Sequence, residues 1–106
     1  NVYVTHLGNG GPIVQQEAVL QEIAPGNVIL MGDFNFRTDT AQYRRTTDVL
    51  DDAWAVRWPQ GVDGEGRQFP RRIDHVFVSP GMKVVAARYH TEPESDHPAL
   101  AVEIGR

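Results

Sequence analysis

Val28-Ile29-Leu30-Met31-Gly32-Asp33-Phe34-Asn35 decides how this chain is read, because an unbroken apolar run ends in a carboxylate and a carboxamide two positions apart. A run without alternation is the mark of a strand buried on both faces. Gly-Asp and Asn are also ordinary turn formers after a strand, so Gly32-Asp33-Phe34-Asn35 alone fits a turn as well as a site. Its company matters more. Thr5-His6-Leu7, Arg72-Ile73-Asp74-His75 and Ser95-Asp96-His97 each border another apolar run.

Upstream of the quoted stretch, Val2-Tyr3-Val4 reads as a strand delivering His6 to its end. Pro12 suits the first turn of a helix, where its missing N–H costs nothing. Ile13, Leu20, Ile23 and Ala24 then share one face at helical spacing, and Pro25-Gly26 ends the element. Strand, helix, strand over ~30 residues is a βαβ unit. Its strands are therefore expected to run parallel with a right-handed crossover, so that His6 and Asp33 finish on the same sheet edge.

Downstream, Thr38 or Asp39 is expected to cap a helix through Ala41 to Leu50, extended by Asp51-Asp52-Ala53-Trp54. Pro59, Gly61, Gly64, Gly66 and Pro70 mark an exposed loop. Ile73 to Val78 reads as a strand, Ser79-Pro80-Gly81 as a turn, Val84 to His90 as a returning strand and Ala99 to Ile104 as a last one. With these reversals His6, Asp33, Asn35, Asp74, Asp96 and His97 all fall at one edge of a mixed sheet of about five strands. Alternation also puts Asp74 on the face of Val76 and Val78, where an acid needs a partner. His75 falls on the opposite face with Ile73 and Phe77 and reads as packing, and His90 as a surface residue.

Composition narrows the function classes. The 106 residues form one domain at most, with a formal net charge of -4, which is not the balance of a strongly basic nucleic-acid binder. Of the ten Lys and Arg, seven lie between positions 37 and 72; they read either as a phosphate-facing patch of Arg forks or as solvated loop charges. There is no cysteine, which excludes disulfides and thiolate metal sites. No run approaches the ~20 apolar residues that span a bilayer. Trp54, Trp58 and Phe69 flank the glycine-rich loop and suit core packing better than stacking on a base.

Taken in chain order, His6, Gly32-Asp33-Phe34-Asn35, Arg72-Ile73-Asp74 and Ser95-Asp96-His97 resemble the C-terminal half of the endonuclease/exonuclease/phosphatase superfamily, the deoxyribonuclease I-like group. The resemblance runs from residue 2 to residue 104. It implies an α/β (α+β) fold: half of a four-layered α/β sandwich, a mixed β-sheet with helices on one face. Residues 1–106 would be the C-terminal part of such a domain.

The implied activity is metal-dependent hydrolysis of a phosphodiester or phosphomonoester, in which charge must be neutralised, a water activated and the leaving oxygen stabilised. By resemblance His97 is the general base, Asp74 orients it, and Asp33 positions the attacking water. Asn35 donates its amide to a phosphate oxygen, and His6 contacts the phosphate or the leaving group. Asp96 and Asp33 are the metal candidates; an all-oxygen shell suits Mg²⁺, with Mn²⁺ a substitute. Each residue has a plainer reading beside this one. His6 could be a structural histidine, and Ser95-Asp96-His97-Pro98 a turn before a strand.

The family's N-terminal half, with an Asn and a Glu of the metal site, has no counterpart in this sequence. A single sheet with one bare apolar face would then need a cover: a missing N-terminal half, or a homodimer through the helix-free face. Two functions follow: a phosphoesterase domain acting on a phosphoester, nucleic acid among the candidates, or a non-catalytic remnant serving as a dimerising binding module. The stretch from Gly61 to Arg72 is where substrate choice would lie.

Overall fold

The computed structural model describes residues 2–6, 11–23, 27–90 and 99–105, the first of these segments and Ala99 by backbone alone. Among these residues six strands and three helices follow one another as β1 (Val2–His6), α1 (Ile13–Glu22), β2 (Ile29–Asp33), α2 (Ala41–Thr47), β3 (Asp51–Asp52), α3 (Ala53–Arg57), β4 (Asp74–Val78), β5 (Val84–His90) and β6 (Ala99–Ile104). Within that order β1 and β2 are parallel and β2 and β4 antiparallel, so the crossover inferred from the apolar run is present. The fold is mixed α/β.

Four strands form one sheet in the order β1-β2-β4-β3, and β5 and β6 form a second, two-stranded sheet. This differs from the single sheet of about five strands read from the sequence. The reason is edge occupancy. β4 is paired on one side by β2 and, at Phe77 and Val78 just before the turn, on the other by the two-residue β3, so the returning β5 meets an occupied edge where it would begin to pair. The chain turns at Ser79-Pro80-Gly81, where Gly81 takes φ 85° and the Met82 N–H donates to the Ser79 carbonyl at 3.2 Å, and β5 crosses over the face of the sheet. A register irregularity between Val84 and Ala86 interrupts the β5–β6 ladder.

Each face of the four-stranded sheet therefore has its own core. On one, Val28, Leu30, Phe34, Phe36, Leu50 and Phe77 are buried beneath Val19 and Leu20 of α1, Ile23 at its C-cap and Tyr43 of α2. On the other, Val76 and Val78, with Ile29 and Met31, meet Trp54 of α3 and Val84, Ala87 and Tyr89 of β5, flanked by Leu100, Val102 and Ile104 of β6. The helix-free face expected to lie bare is thus covered by the hairpin of the same chain.

Local signals locate the helices to within a few residues. Thr40, not Thr38 or Asp39, caps α2 by accepting from the Tyr43 N–H, and that helix ends at Thr47. Asp51-Asp52 is a short strand rather than a helical extension, and Asp52 caps the separate helix α3. In α1 the buried face is rotated from the one expected. Ile13 is 40% exposed, whereas Gln16 is fully buried because its Nε2 donates to Thr46 Oγ1 of α2 at 2.7 Å. Among the described residues no helix is long and apolar enough to cross a membrane.

Candidate active site

Strand register builds the site. His6 is paired with Asp33 across β1 and β2, and Asp33 with Asp74 across β2 and β4, so three chemistry-bearing residues from separate parts of the chain occupy one row at one end of the sheet. Asp33 alternates with Ile29 and Met31, and Asp74 with Val76 and Val78, the set that faces the hairpin. Directly opposed residues on one face of an antiparallel pair have Cβ atoms ~5 Å apart, and like charges in that position repel. Two carboxylates held there call for positive charge or hydrogen-bond donors between them.

A cavity of about 290 Å³ opens at this place, lined by Met31, Gly32, Asp33, Asp74, His75, Val76 and Leu100. Leu100 belongs to β6, so the hairpin forms part of the wall. His97 and Asp96 lie outside the described residues, as does the side chain of His6. Among the described residues no cluster of three or more His, Asp or Glu gathers round a point that could hold a metal ion. Asp33 and Asp74 are nonetheless hard oxygen donors, the kind that Mg²⁺ and Mn²⁺ take.

Beyond β2 the chain makes a tight loop. Asp33 Oδ1 accepts from the Asn35 N–H at 3.0 Å, and the Phe34 N–H donates to the Ile73 carbonyl at 2.9 Å, which continues the alignment with β4 past the last ladder pair. Asn35 has φ 56°, the left-handed region that Asn tolerates better than other side chains. Gly11 lies so close that a Cβ there would sit 2.2 Å from the Phe34 carbonyl oxygen, and its own φ is 51°. Only glycine fits at that contact.

Next to the row is a buried polar network that the sequence did not disclose. Arg72 donates through both Nη atoms to the Asp52 carboxylate, the Nη1 to Oδ1 contact being 3.2 Å. Asp52 also accepts from Tyr43 Oη and, as the cap of α3, from the Trp54 N–H at 3.1 Å. Burial alone would raise the Asp52 carboxyl, but Arg72 and Tyr43 hold it below its ordinary value. Burial likewise pushes the Tyr43 hydroxyl up, with Asp52 adding to the shift. Arg72 is thus a structural cation and not part of a phosphate-facing patch; it lies 5.0 Å over the Trp54 ring.

His75 continues the network. It is 1% exposed, its Nε2 lies 2.7 Å from the Phe36 carbonyl, and its Nδ1 lies 3.4 Å from Arg72 Nη1. A carbonyl accepts only and a guanidinium donates only, so the ring is neutral with its proton on Nε2. Burial, reinforced by Arg72, lowers its pKa to about 4. Tyr89 donates its hydroxyl to the Asp74 carbonyl at 2.7 Å, tying β5 to the first residue of β4.

The remaining candidates are core or surface. Trp54 and Phe69 meet edge to face at 6.0 Å, and Trp58 Nε1 donates to the Ala87 carbonyl at 2.8 Å, so the aromatic residues flanking the loop pack inward. In that loop Arg67 is paired with Asp63 at 3.1 Å and Glu65 at 3.7 Å. His90 is exposed. Asp52 was the residue with a readable signal, an acid directly before a short apolar helix, which is a cap position.

The sequence model of the Endonuclease/Exonuclease/phosphatase family matches residues 6–97, from the first residue of the carboxylate row to the histidine before β6. The chain belongs to this family. No curated protein matches it. Among solved structures it is similar to an endonuclease/exonuclease/phosphatase from Beutenbergia cavernae, at 25% identity and a TM-score of 0.68, over 97% of this chain and 35% of that one. A family protein from Bacteroides thetaiotaomicron is 22% identical with a TM-score of 0.58, over 97% of this chain and 47% of that one. A mannosyl-6-phosphatase from the same organism is 23% identical with a TM-score of 0.50, covering 89% and 43%.

The last two likenesses concern the fold alone. The chain spans between 35% and 47% of the length of these three proteins, so its fold is a fragment of the family domain. Enzymes of the endonuclease/exonuclease/phosphatase family are generally hydrolases of phosphate esters and commonly use divalent metals.

Proposed function

We propose that this chain carries the C-terminal part of the active site of a Mg²⁺-dependent phosphoesterase, with a phosphodiester as the favoured substrate class. The observation that supports it is the register row of His6, Asp33 and Asp74 on three neighbouring strands, followed at once by Asn35. Opposed carboxylates repel each other and are useful beside a cation or an imidazolium. In this reading Asp33, with Asp96, holds the metal, which when bound supplies charge neutralisation at the phosphate. Asp74 orients His97 and stabilises the imidazolium formed as that ring takes a proton from water. Asn35 and His6 contact phosphate oxygens.

The activity is proposed for a complete domain. Its remaining portion, an N-terminal half or a second copy of this chain, would meet the outer face of the β5–β6 sheet and the edges left unpaired among the described residues, because the inner face is already filled. The test is hydrolysis of bis-p-nitrophenyl phosphate and p-nitrophenyl phosphate by the completed domain. Turnover should require Mg²⁺, and Asp33→Ala or His97→Ala should slow it at least ~100-fold. Full activity in EDTA, or in either variant, would overturn the mechanism.

A further inference from the structure

We propose that the buried chain Asp52–Arg72–His75 is a positioning device that holds the Asp33–Asn35 loop in its working shape through the Phe36 carbonyl, and that Arg72 and His75 act on the site without touching substrate. The proposal rests on the reading of Asp33 and Asn35 as site residues.

Asn35 sits in a backbone region that side chains avoid, and such a conformation persists only where its surroundings over-determine it. The peptide groups around it are each held. Before Asn35, the Phe34 N–H is fixed by Ile73 at 2.9 Å, and the Phe34 carbonyl lies against Gly11. The Asn35 N–H is held by Asp33 at 3.0 Å. After Asn35, the Phe36 carbonyl is held by His75 Nε2 at 2.7 Å.

That last bond needs an imidazole with its proton on Nε2. Arg72 enforces this tautomer, because its Nη1 can only donate toward His75 Nδ1. Arg72 is in turn held by both oxygens of Asp52, and Asp52 is anchored at the first turn of α3. A phenylalanine at position 75 would fill much the same space between Phe34, Phe36 and Phe77 and make none of these bonds. The polar atoms are therefore not needed to fill the core. Their effect is to choose the orientation of one carbonyl, one residue past Asn35.

Nuclear magnetic resonance of this chain tests the proposal whether or not the completed domain hydrolyses anything. In the unsubstituted protein, long-range nitrogen–proton correlations of His75 should show the Nε2–H tautomer; the Nδ1–H tautomer would overturn the proposal. In His75→Phe, hydrogen exchange at the Asn35 amide should quicken about 3- to 10-fold, the scale of one lost hydrogen bond, while the Leu30 amide in mid-strand keeps its rate. His75→Gln, which restores a donor, should recover much of the protection. Equal acceleration at Leu30 and Asn35, or none at Asn35, would mean that His75 is ordinary core. Should His75→Phe fail to fold, the tautomer and His75→Gln decide the matter: there, rapid exchange confined to Arg72 and not reaching Asn35 would also overturn it.

Discussion

Asp52 and the pair Asp33 and Asp74 are acids of the same sheet in opposite circumstances. Asp52 is 4% exposed and saturated: both oxygens face Arg72, one takes the Tyr43 hydroxyl, and the other caps α3. Asp33 and Asp74 face one another across a ladder and line a cavity. A carboxylate matched by its own chain does structural service. Two carboxylates opposed on one face repel each other, and a cation or an imidazolium beside them relieves that repulsion. The difference teaches which acids to assign to chemistry, and it is sharper than burial alone, since Arg72 and His75 are also buried and polar.

The contrast can be broken at its structural end first. Asp52→Ala leaves the Arg72 guanidinium buried without its carboxylate, and breaking a buried pair in this way costs about 3–5 kcal/mol. Urea denaturation of the chain should show that loss; a loss below about 1 kcal/mol would mean the network is not what sets the core polarity. The same loss with little change at Asp33→Asn would complete the comparison.

Acid provides the next largest effect. His75 has a folded pKa of about 4 against 6.5 unfolded, so the unfolded chain binds more protons in between. Stability is then full above pH 6.5 and falls as pH drops toward 4, by roughly 3 kcal/mol. Charged and titratable groups facing the ring are Arg72, Asp52 and Asp33, with the Tyr43 ring beside it. Since Asp52 also loses its stabilising charge in acid, below its lowered pKa, the measurement is a difference: His75→Phe should lose the slope between pH 6.5 and 4 and keep the part below. Parallel curves for the two proteins would refute the buried neutral imidazole.

Smaller changes sharpen the other side. Trp58→Phe removes the indole N–H that donates to Ala87 and joins the glycine-rich loop to β5; about 1 kcal/mol should be lost in thermal unfolding, with the carboxylate row untouched. Asp74→Asn removes one of two opposed charges. Thermal unfolding of the metal-free chain should show a gain of about 0.2–1 kcal/mol, while phosphoester turnover by the completed domain falls. A clear loss of stability in Asp74→Asn would place Asp74 with Asp52 among the structural acids.

Much of the architecture was legible because its signals are local. The unbroken run Val28 to Met31 marked an interior strand, and the crossover rule then placed His6 and Asp33 at one end without any contact being known. Counting reversals did the same for Asp74. Alternation separated Asp74 from His75, and the two do face different cores, Asp74 with Val76 and Val78, His75 among Phe34, Phe36 and Phe77. Periodicity failed in α1, where Ile13 is exposed and Gln16 buried, because a polar residue can occupy a core position when a distant helix supplies its partner.

From the sequence by itself came strand direction, the shared end of His6, Asp33 and Asp74 and the family resemblance, all of which depend on short-range pattern and on the handedness of crossovers. Tertiary structure alone decided where β5 and β6 go, since that turns on β3 pairing with the end of β4 next to the turn, a contact between residues 51–52 and 77–78. It alone decided that Arg72 belongs to Asp52, twenty positions away in the chain, rather than to a phosphate. In both cases the outcome follows from competition for a partner, an edge or a carboxylate, and such competition is settled only when the whole chain is in place.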